Sequence, residues 1–417
     1  MENKIVINGI FKESVPILTK IIDAGFEAYF VGGSVRDYLL NHEVNDVDIA
    51  TSALPYEIKK IFSRTVDVGI EHGTVLVLYN NESYEITTFR TESTYKDFRR
   101  PDSVTFVRSL REDLRRRDFT MNAIAVDTNG YIFDPYQGMK DLKLGVIRAV
   151  GNPHERFQED ALRMMRAVRF AAQLDFEIEK ETQLSIGENA ALLENIAVER
   201  IQIEFEKLLM SSWRSKGLQA MIQSQLFKYC PELADKKEAL HSLISDQISF
   251  ERAEAAWAFL LYKIETHSLN KNFNPHYFLK KWKLSNKKIQ NTLTLYHGLK
   301  TRVENQELNP WNIFNLGKDA ALGIESLVSH LDQESKHDQV KRIYDNLPIY
   351  KKEELALNGH DLMKKTTKKP GKWISEALES ALKAVVYKEI PNEKESILNW
   401  LDTENKIPYV NDRKSLE

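Results

Sequence analysis

The sequence has one cysteine, Cys230, in 417 residues. A single cysteine excludes an internal disulfide framework and a zinc site built on cysteines. No stretch is apolar over the length of a membrane span, since the longest candidate, residues 255–262, is short and bounded by charged residues. The first residues lack the basic start and apolar core of a secretory signal. These absences predict a cytoplasmic protein that does not associate with membranes.

The chain also lacks a positive net charge, because 61 acidic residues slightly outnumber 58 basic ones and leave a formal charge of −3. This balance is not that of a protein that binds nucleic acid over its whole surface. RNA binding requires only a local basic track, however. Two runs could supply such a track, residues 108–117 and the lysine-rich residues 364–372. Each run could also be an ordinary solvated surface.

Neither an internal repeat nor a low-complexity tract is visible, and the length suggests two to four subdomains. Up to about residue 150, short apolar runs typical of strands alternate with helical stretches and turns. Beyond that point amphipathic helical patterns dominate, for example over residues 198–210 and 372–386. We therefore expect an α+β protein. Its predicted segments are an α/β head over residues 1–150 and helical segments over residues 151–230 and 231–417.

Asp46 and Asp48 are the most informative pair of residues in the sequence. In an extended strand, residues two apart point to the same side, so two carboxylates there repel each other unless a divalent cation lies between them. Two Mg²⁺ ions held in this way can activate an attacking hydroxyl and stabilise the leaving phosphate of a nucleotide. We therefore predict that Asp46 and Asp48 are metal ligands. An isolated pair with this spacing is usually a solvated turn or cap, so the prediction depends on the residues around it.

The segment before the acidic pair favours phosphate binding. Residues 28–33 (AYFVGG) predict a buried strand that ends in a glycine turn, and Ser34 is expected to cap the helix that follows. Gly32 and Gly33 would let the backbone approach a phosphate closely. The helix N-terminus and Arg36 would supply positive potential for a triphosphate.

With three further motifs, the sequence resembles the class II branch of the nucleotidyltransferase superfamily, which holds tRNA CCA-adding enzymes and bacterial poly(A) polymerases. Residues 116–123 (RRDFTMNA) are similar to the ribose-reading motif of that family, and residues 134–142 (DPYQGMKDL) are similar to its hinge motif. Residues 159–170 (EDALRMMRAVRF) are similar to its base-templating helix. The motifs occur in the order found in the family and cover about the first half of the chain.

The resemblance implies a polymerase-beta-like catalytic head over residues 1–150. It implies a helical neck that carries the templating helix over residues 151–230, and a helical body and tail that bind tRNA over residues 231–417.

The resemblance also implies roles for single residues. Arg117 would contact the nucleotide, and Asp118 and Asn122 would help to select ribose over deoxyribose through the 2′-OH. Members of the superfamily normally carry a third acidic residue on a neighbouring strand. Glu85 could fill that place, or it could be a strand carboxylate exposed to water.

Base specificity is expected in the helix that starts at Glu159. Asp160 and Arg163 are three residues apart, so we expect them on adjacent positions of one helical face. A carboxylate accepts and an arginine donates, so this pair would accept the Watson–Crick edges of cytosine and adenine and reject those of guanine and uracil. Arg166 and Arg169 continue the row and would hold this network or the phosphates. The alternative for the pair is an ordinary exposed salt bridge.

Residues 91–104 are polar and turn-prone. Within them, Asp97, Arg99, Arg100 and Pro101 resemble the flexible loop that, in this family, helps the site to switch from C to A addition. The presence of this segment argues for addition of the complete CCA sequence.

We therefore expect an enzyme that adds C, C and A to the 3′ end of tRNA from CTP and ATP, without a template, with Mg²⁺ and with release of pyrophosphate. The expected partners are tRNA and the two nucleotides, and the family suggests a homodimer. A poly(A) polymerase is the nearest alternative, although the sequence ends without a strongly basic tail. A partial CC-adding or A-adding enzyme is the second alternative. An RNA-binding protein on an inactive transferase scaffold is a third, which the intact acidic pair argues against.

Overall fold

The computed structural model of the chain describes residues 4–69, 72–92, 104–245, 248–267, 272–331, 333–366 and 369–407. The chain divides into two compact units. The first unit consists of residues 1–249 and 263–284, and the second consists of residues 250–262 and 285–417.

The first unit contains a mixed sheet of seven strands in the order β3-β4-β5-β2-β1-β8-β9 and two short ladders, β6-β7 and β10-β11. The strands are β1 Ala28–Val31, β2 Asp48–Thr51, β3 Thr65–Gly69, β4 Thr74–Tyr79, β5 Glu82–Thr88, β6 Arg90–Glu92, β7 Val104–Phe106, β8 Ala125–Val126, β9 Ile132–Phe133, β10 Val146–Ile147 and β11 Glu177–Ile178. Within the seven-stranded sheet β2 and β5 run parallel, and the other neighbours are antiparallel.

Alternating apolar residues explain why these segments form strands. Val75 and Val77 in β4 are buried, as are Tyr84 and Ile86 in β5, while the residues between them are more exposed. This period of two places one face of each strand on the core. The central strands β1 and β2 are mostly buried apart from Asp48, the first residue of β2. The sheet therefore presents this acidic side chain at the end of a buried strand.

The described part of the first unit also contains α-helices. They are α1 Gly9–Asp23, α2 Gly32–Leu39, α3 Pro55–Ile61, α4 Leu110–Arg115, α5 Gly138–Leu144, α6 Pro153–Glu159, α7 Leu162–Leu174, α8 Lys180–Asn189, α9 Val198–Met210, α10 Arg214–Gln223, α11 Lys237–Ser242 and α13 Pro275–Lys281. Helix α12, Ala253–His267, contributes residues to both units.

Helix α7 lies at the centre of the helical part of the first unit, where α9 and α10 pack against it. All but two of its residues are buried. Gly217 in α10 permits this packing, because a Cβ atom there would lie 2.4 Å from the Val168 carbonyl oxygen and 2.8 Å from the Ala172 Cβ. Only glycine lets the two helix backbones approach this closely.

The second unit is helical in its described part. Its further helices are α14 Asn286–Asn305, α15 Pro310–Leu316, α16 Lys318–Val328, α17 His337–Asp345, α18 Gly359–Met363, α19 Lys372–Val386 and α20 Lys394–Thr403. Leu362, Ala381, Val385 and Leu401 are among the buried residues of its apolar core. No helix in the described part of the chain is both long and apolar enough to span a membrane.

The expected α+β organisation, with a mixed α/β head followed by helices, is confirmed by this architecture. The helices predicted over residues 198–210 and 372–386 are α9 and α19. The continuous helix predicted from Glu159 is wrong, because α6 ends at Glu159 and α7 begins at Leu162. Asp160 lies in the break with an extended backbone. A periodic pattern does not show such a break, since both helices continue the same apolar periodicity.

Candidate active site

A cavity of about 370 Å³ opens beside the junction of β1 and α2. Most of the residues that the sequence singled out line it, together with two additional arginines and one leucine. The lining residues are Gly32, Gly33, Arg36, Asp48, Arg116, Arg117, Asp118, Asn122, Asp160, Leu162, Arg163, Arg166 and Arg200. Asp46 and Arg169 were also predicted as site residues but do not line the cavity.

Asp48 lies at the start of β2, whereas Asp46 lies two residues earlier in an irregular segment. The expectation that both residues share a strand is therefore wrong, because β2 begins only at Asp48. Glu85 on the parallel strand β5 is the Cα partner of Asp48. Partner residues of a parallel pair present their side chains on the same face of the sheet. The acidic group next to Asp48 on the sheet is therefore Glu85.

The surroundings of Asp48 make its ionised form unfavourable. Desolvation by the neighbouring protein raises the pKa of Asp48, and the negative charges of Glu85 and Asp46 raise it further. Arg117 and Arg36 oppose this shift. A carboxylate in such a place gains from any additional cation that approaches it. Among the described residues, however, no three acidic, histidine or cysteine side chains form a complete metal centre.

Gly32 begins helix α2 with a positive φ of 74°. A Cβ atom at this position would lie 3.1 Å from both Asp48 Oδ2 and Arg117 Nη1. The glycine therefore permits both the left-handed backbone and the close approach of two charged side chains. This places the first turn of α2 directly beside the carboxylate.

The predicted role of Ser34 as the helix cap is wrong, because α2 begins two residues earlier, at Gly32, with Val31 in the cap position. The Ser34 hydroxyl donates to the Val31 carbonyl at 2.9 Å and accepts a long hydrogen bond from the Asp48 N–H at 3.3 Å. Ser34 therefore ties α2 to the backbone of the acidic residue.

A continuous chain of hydrogen bonds links four of the residues that line the cavity. Arg36 donates from Nη1 to Asn122 Oδ1 at 2.8 Å, and Asn122 Nδ2 donates to Asp118 Oδ1 at 2.9 Å. Asp118 Oδ2 accepts from Arg166 Nε at 2.8 Å. The guanidinium of Arg36 is also paired with Asp37 and lies over the ring of Phe170. Arg36 is therefore buried and engaged by protein groups at the lining of the cavity, and its supply of positive potential for a triphosphate stays a prediction.

Asp118 is the most strongly stabilised carboxylate of the cavity. Burial alone would favour its neutral form, but the charge of Arg166 and the hydrogen bonds from Asn122 and Arg166 hold the pKa of Asp118 well below its usual range. Its Oδ1 also accepts from the Phe119 N–H at 2.8 Å. Asp118 therefore stays ionised at neutral pH and fixes the positions of both neighbours.

Arg117 is held from the side away from the cavity. Asp113, which is 1% exposed, accepts from Arg117 Nη2 at 3.1 Å and from Arg116 Nη2 at 2.8 Å. Arg117 Nη1 makes a weak hydrogen bond to the Asn122 carbonyl at 3.5 Å. The buried Nε of Arg117 has no hydrogen-bond partner within the described ranges. The positive charge of Arg117 is thus fixed beside Asp48, and one of its donors is still unused.

Asp160 and Arg163 both line the cavity, but they are not the helical pair that the spacing predicted. Asp160 Oδ2 accepts from Arg200 Nη2 at 2.8 Å, and its Oδ1 accepts from the N–H of Leu162, the first residue of α7, at 3.0 Å. Arg163 donates to Glu159 Oε2 at 2.8 Å and to the Arg116 carbonyl at 2.9 Å. The two side chains are therefore held separately, by different elements.

Arg169 faces away from the cavity, into the contact between α7 and α9. Its Nε donates to Glu204 Oε2 at 2.8 Å, and its guanidinium stacks on Phe170. Glu204 also forms a long ion pair of 3.9 Å with Arg166. Arg169 was expected to hold either the side chains around Asp160 and Arg163 or the phosphates. Its contacts in the structure are consistent with the first of these roles.

The two basic runs differ in their surroundings. Arg115 and Arg116 of the first run line a second cavity of about 200 Å³ together with Arg156. The described lysines of the second run, at positions 364, 365, 369 and 372, are exposed. Of the polar segment 91–104, residues 93–103 lie outside the described ranges, and so does the prediction made for them.

The site as a whole combines a carboxylate end with an arginine-rich wall. Asp48, with Glu85 and Asp46 nearby, supplies hard oxygen ligands at one end. Arg117, Arg163 and further arginines supply positive charge, and Asp118 and Asp160 lie among them in the lining. Such a cavity suits a polyanionic ligand whose phosphates lie near the acidic end, with a divalent cation between like charges.

Three protein families match successive parts of the chain. The Poly A polymerase head domain matches residues 28–148, and the family described as the probable RNA and SrmB-binding site of polymerase A matches residues 175–237. The family described as tRNA nucleotidyltransferase domain 2, putative, matches residues 248–401.

Curated relatives match nearly the whole length. The chain is 51% identical over 391 residues to the CCA-adding enzyme of Enterococcus faecalis, which covers 94% of this chain and 95% of that enzyme. It is 46% identical over 391 residues to the CCA-adding enzyme of Ligilactobacillus salivarius, which covers 93% of this chain and 95% of that enzyme.

Solved structures show the same fold. The Bacillus stearothermophilus CCA-adding enzyme in complex with CTP superimposes with a TM-score of 0.88 at 40% identity, over 95% of this chain and 98% of that one. The Thermotoga maritima CCA-adding enzyme complexed with tRNA superimposes with a TM-score of 0.62 at 22% identity, over 95% of each chain. At 22% identity, the similarity to the Thermotoga maritima structure shows only that the fold is shared.

Proposed function

The chain belongs to the family of CCA-adding enzymes, the class II tRNA nucleotidyltransferases, and we propose that the cavity beside α2 is its nucleotide site. The protein adds C, C and A to the 3′ end of tRNA without a nucleic-acid template and releases pyrophosphate. The observation that carries the assignment of the site is the convergence of Asp48, Arg117, Asp160 and Arg163 on one cavity. The 40% identical relative in complex with CTP supports CTP as a ligand, and we propose ATP as the second.

The family implies a divalent metal, and we propose Mg²⁺. The donor set fits this ion, because Mg²⁺ is usually held by one or two carboxylates together with substrate phosphates and waters. Asp48 and Asp46 would hold it, and Glu85, the Cα partner of Asp48, is the candidate for a third carboxylate. Desolvation, and then the charges of Glu85 and Asp46, raise the pKa of Asp48, so a divalent cation bound beside it would favour its ionised form. When bound, the ion would activate the attacking hydroxyl and neutralise the phosphates.

In the reaction, the 3′-OH oxygen of the tRNA attacks the α-phosphate of the nucleotide. A phosphodiester bond forms, the bond to the β-phosphate breaks and pyrophosphate leaves. Arg117 would contact the nucleotide, with its charge held beside Asp48 by Asp113. Gly32 and Gly33 would let the first turn of α2 approach the phosphates. Most of the rate enhancement would come from positioning and charge stabilisation.

Base choice would fall to Asp160 and Arg163. Cytosine and adenine both present an amino donor beside a ring-nitrogen acceptor, which matches a carboxylate and a guanidinium. Guanine and uracil would place a carbonyl acceptor opposite the carboxylate and a ring N–H donor opposite the guanidinium, so neither group would find a hydrogen-bond partner. Asp118 and Asn122 are expected to read the ribose 2′-OH, and the hydrogen-bond chain to Arg36 and Arg166 supports their fixed placement.

The remaining predictions concern the protein as a whole. We propose that it acts in the cytoplasm as a homodimer. We also propose that residues 1–150 act as the catalytic head, residues 151–230 as the neck and residues 231–417 as the tRNA-binding body and tail. Neither a poly(A) polymerase nor a partial enzyme is favoured by the curated relatives, which are CCA-adding enzymes over almost the whole chain.

The experiment that tests the proposed function uses tRNA transcripts that end before, within and after CCA. The purified protein is given each nucleotide singly and in mixture, and the products are read at nucleotide resolution. We expect growth that stops after CCA and no extension of complete tRNA. Long A tails would identify a poly(A) polymerase, and a stop after CC or a requirement for preformed CC would identify a partial enzyme.

A further inference from the structure

We propose that Arg200 determines nucleotide specificity by positioning Asp160. In this role, which rests on the proposed function, Arg200 holds the Asp160 carboxylate in the orientation that accepts the amino group of cytosine or adenine. Sequence patterns do not single out Arg200, because it lies 40 residues after Asp160 in an ordinary amphipathic helix, α9.

The side chain of Asp160 is not oriented by a regular helix, because the residue lies in the break between two helices. It lies between α6 and α7, with φ of −140° and ψ of 102°. Two hydrogen bonds fix its carboxylate, one from the Leu162 N–H to Oδ1 and one from Arg200 Nη2 to Oδ2. With both bonds the plane of the carboxylate is defined, and with only the first it can rotate. A carboxylate accepts about four hydrogen bonds, so acceptor capacity remains for a base.

The guanidinium of Arg200 lines the cavity and carries an unused donor. Its Nη1 is buried and has no hydrogen-bond partner in the part of the chain that the structure describes. A buried donor without a partner is unfavourable, so a rearrangement that supplies an acceptor would be favoured when a nucleotide binds. Arg200 is therefore placed to respond to the occupant of the cavity as well as to hold Asp160.

Helix α9 also anchors the other arginines of the network. Glu204, four residues after Arg200 and so on the same helical face, accepts from Arg169 and pairs with Arg166. Arg200 thus holds Asp160 in the break before α7, and Glu204 holds Arg166 and Arg169 in the middle of α7. The position of α9 therefore sets the geometry of the residues that face the base.

The test compares Arg200→Met, Arg200→Lys and the unmodified enzyme in single-nucleotide addition to tRNA that lacks CCA. The kcat/KM for CTP and for UTP is measured separately. Methionine removes the donors and keeps much of the side-chain volume, whereas lysine keeps the charge and a single-point donor. Lys207→Met is the matched control, because it removes one positive charge from an exposed position of the same helix. Thermal unfolding of each variant is measured in parallel.

We expect the ratio of kcat/KM for CTP to that for UTP to fall by about 10-fold or more in Arg200→Met, as for the loss of one buried directional contact. The lysine variant should recover part of the ratio, and Lys207→Met should leave it unchanged. An unchanged ratio in Arg200→Met, or an equal loss for both nucleotides, would overturn the proposal. If the methionine variant does not fold, an unchanged ratio in the lysine variant would overturn it.

The controls separate this proposal from the proposed function. Failure of the unmodified protein to add C and A to tRNA would contradict the function itself. Normal addition by the unmodified protein, with unchanged base choice in the Arg200 variants, would contradict only the role of Arg200.

Discussion

Asp48 and Glu85 are Cα partners on the parallel strands β2 and β5, so their carboxylates are presented on the same face of the sheet. Asp46, which the sequence pattern paired with Asp48, lies outside the strand. Both Glu85 and Asp46 raise the pKa of Asp48, after desolvation as the largest cause. Arg117 and Arg36 oppose this shift, so the pKa of Asp48 depends on both acidic and basic neighbours.

Asp46→Ala and Asp48→Ala should each abolish nucleotide transfer and leave tRNA binding largely intact. The reason is that both carboxylates are assigned to the metal rather than to the fold. Transfer is measured with labelled CTP at saturating Mg²⁺, and tRNA binding by filter retention. Activity that survives in either variant would refute that residue as a metal ligand. Glu85→Gln, measured alongside, decides whether the third carboxylate takes part.

Asp48→Asn should raise the thermal unfolding temperature at pH 7 in the absence of metal. Because its pKa is raised in the folded protein, the ionised carboxylate destabilises the fold at neutral pH, and asparagine removes that cost. The advantage of the variant should shrink as the pH falls through the raised folded pKa and disappear below the unfolded value of about 3.9. A variant that is less stable at pH 7 would mean that Asp48 makes net favourable contacts.

Asp118→Asn should destabilise the first unit, because it removes the nearest charge partner of Arg166 and leaves only the long ion pair with Glu204. We expect the free energy of unfolding to fall by about 2–3 kcal/mol. This loss is at or below the range for fully buried ion pairs, because Arg166 is partly exposed. The folded pKa of Asp118 is lowered, so the stability that it supplies is complete above the unfolded value of about 4 and is lost as the pH falls toward the folded value. Denaturant unfolding at pH 7 and at pH 3 measures both effects.

The control for Asp118→Asn is Asp175→Asn, which removes one partner of an exposed ion pair with Lys216. Exposed pairs contribute about 0–1 kcal/mol. An equal, small loss in both variants would show that the hydrogen-bond chain through Asp118 contributes little to the fold.

Gly217→Ala should destabilise the contact between α10 and α7, because the added Cβ would lie 2.4 Å from the Val168 carbonyl oxygen. We expect a cost of about 1–3 kcal/mol as the helices separate. Gly323→Ala in α16 is the matched control, since a Cβ there meets nothing within 4 Å. It should stabilise by up to about 1 kcal/mol through helix propensity. Denaturant unfolding should therefore show a lower free energy of unfolding for Gly217→Ala and a higher one for Gly323→Ala. Equal changes in the two variants would contradict the close packing of α7 and α10.

Strand alternation and helix periodicity were sufficient to predict the α+β organisation and helices such as α9. They could not predict the break at Asp160, because α6 and α7 continue one apolar pattern and only the backbone conformation differs. The same limit applies to Ser34, where a typical capping residue follows a glycine pair that already starts the helix. Local patterns therefore place elements well and place their ends poorly.

Local sequence motifs identified most of the residues that line the cavity. They did not identify the residues, distant in the sequence, that contact and orient those side chains. Glu204 and Arg200 come from α9 and reach Arg169 and Asp160 only through tertiary packing. Nothing in the residues around Arg200 distinguishes it from a surface arginine. The placement of Glu85 opposite Asp48 similarly depends on the order of strands in the sheet. These relationships are set by the fold and cannot be read from spacing.

The central claim is that protein side chains in one cavity choose the base, and the most direct test is the incorporation of CTP, ATP, UTP and GTP by Asp160→Ala and Arg163→Ala. Each nucleotide is supplied singly, on tRNA that lacks CCA and on tRNA that lacks only the terminal A. The preference for C and A should fall in both variants by about 1–3 kcal/mol, with a smaller effect on triphosphate binding. Variants that keep the base preferences of the unmodified enzyme would contradict it.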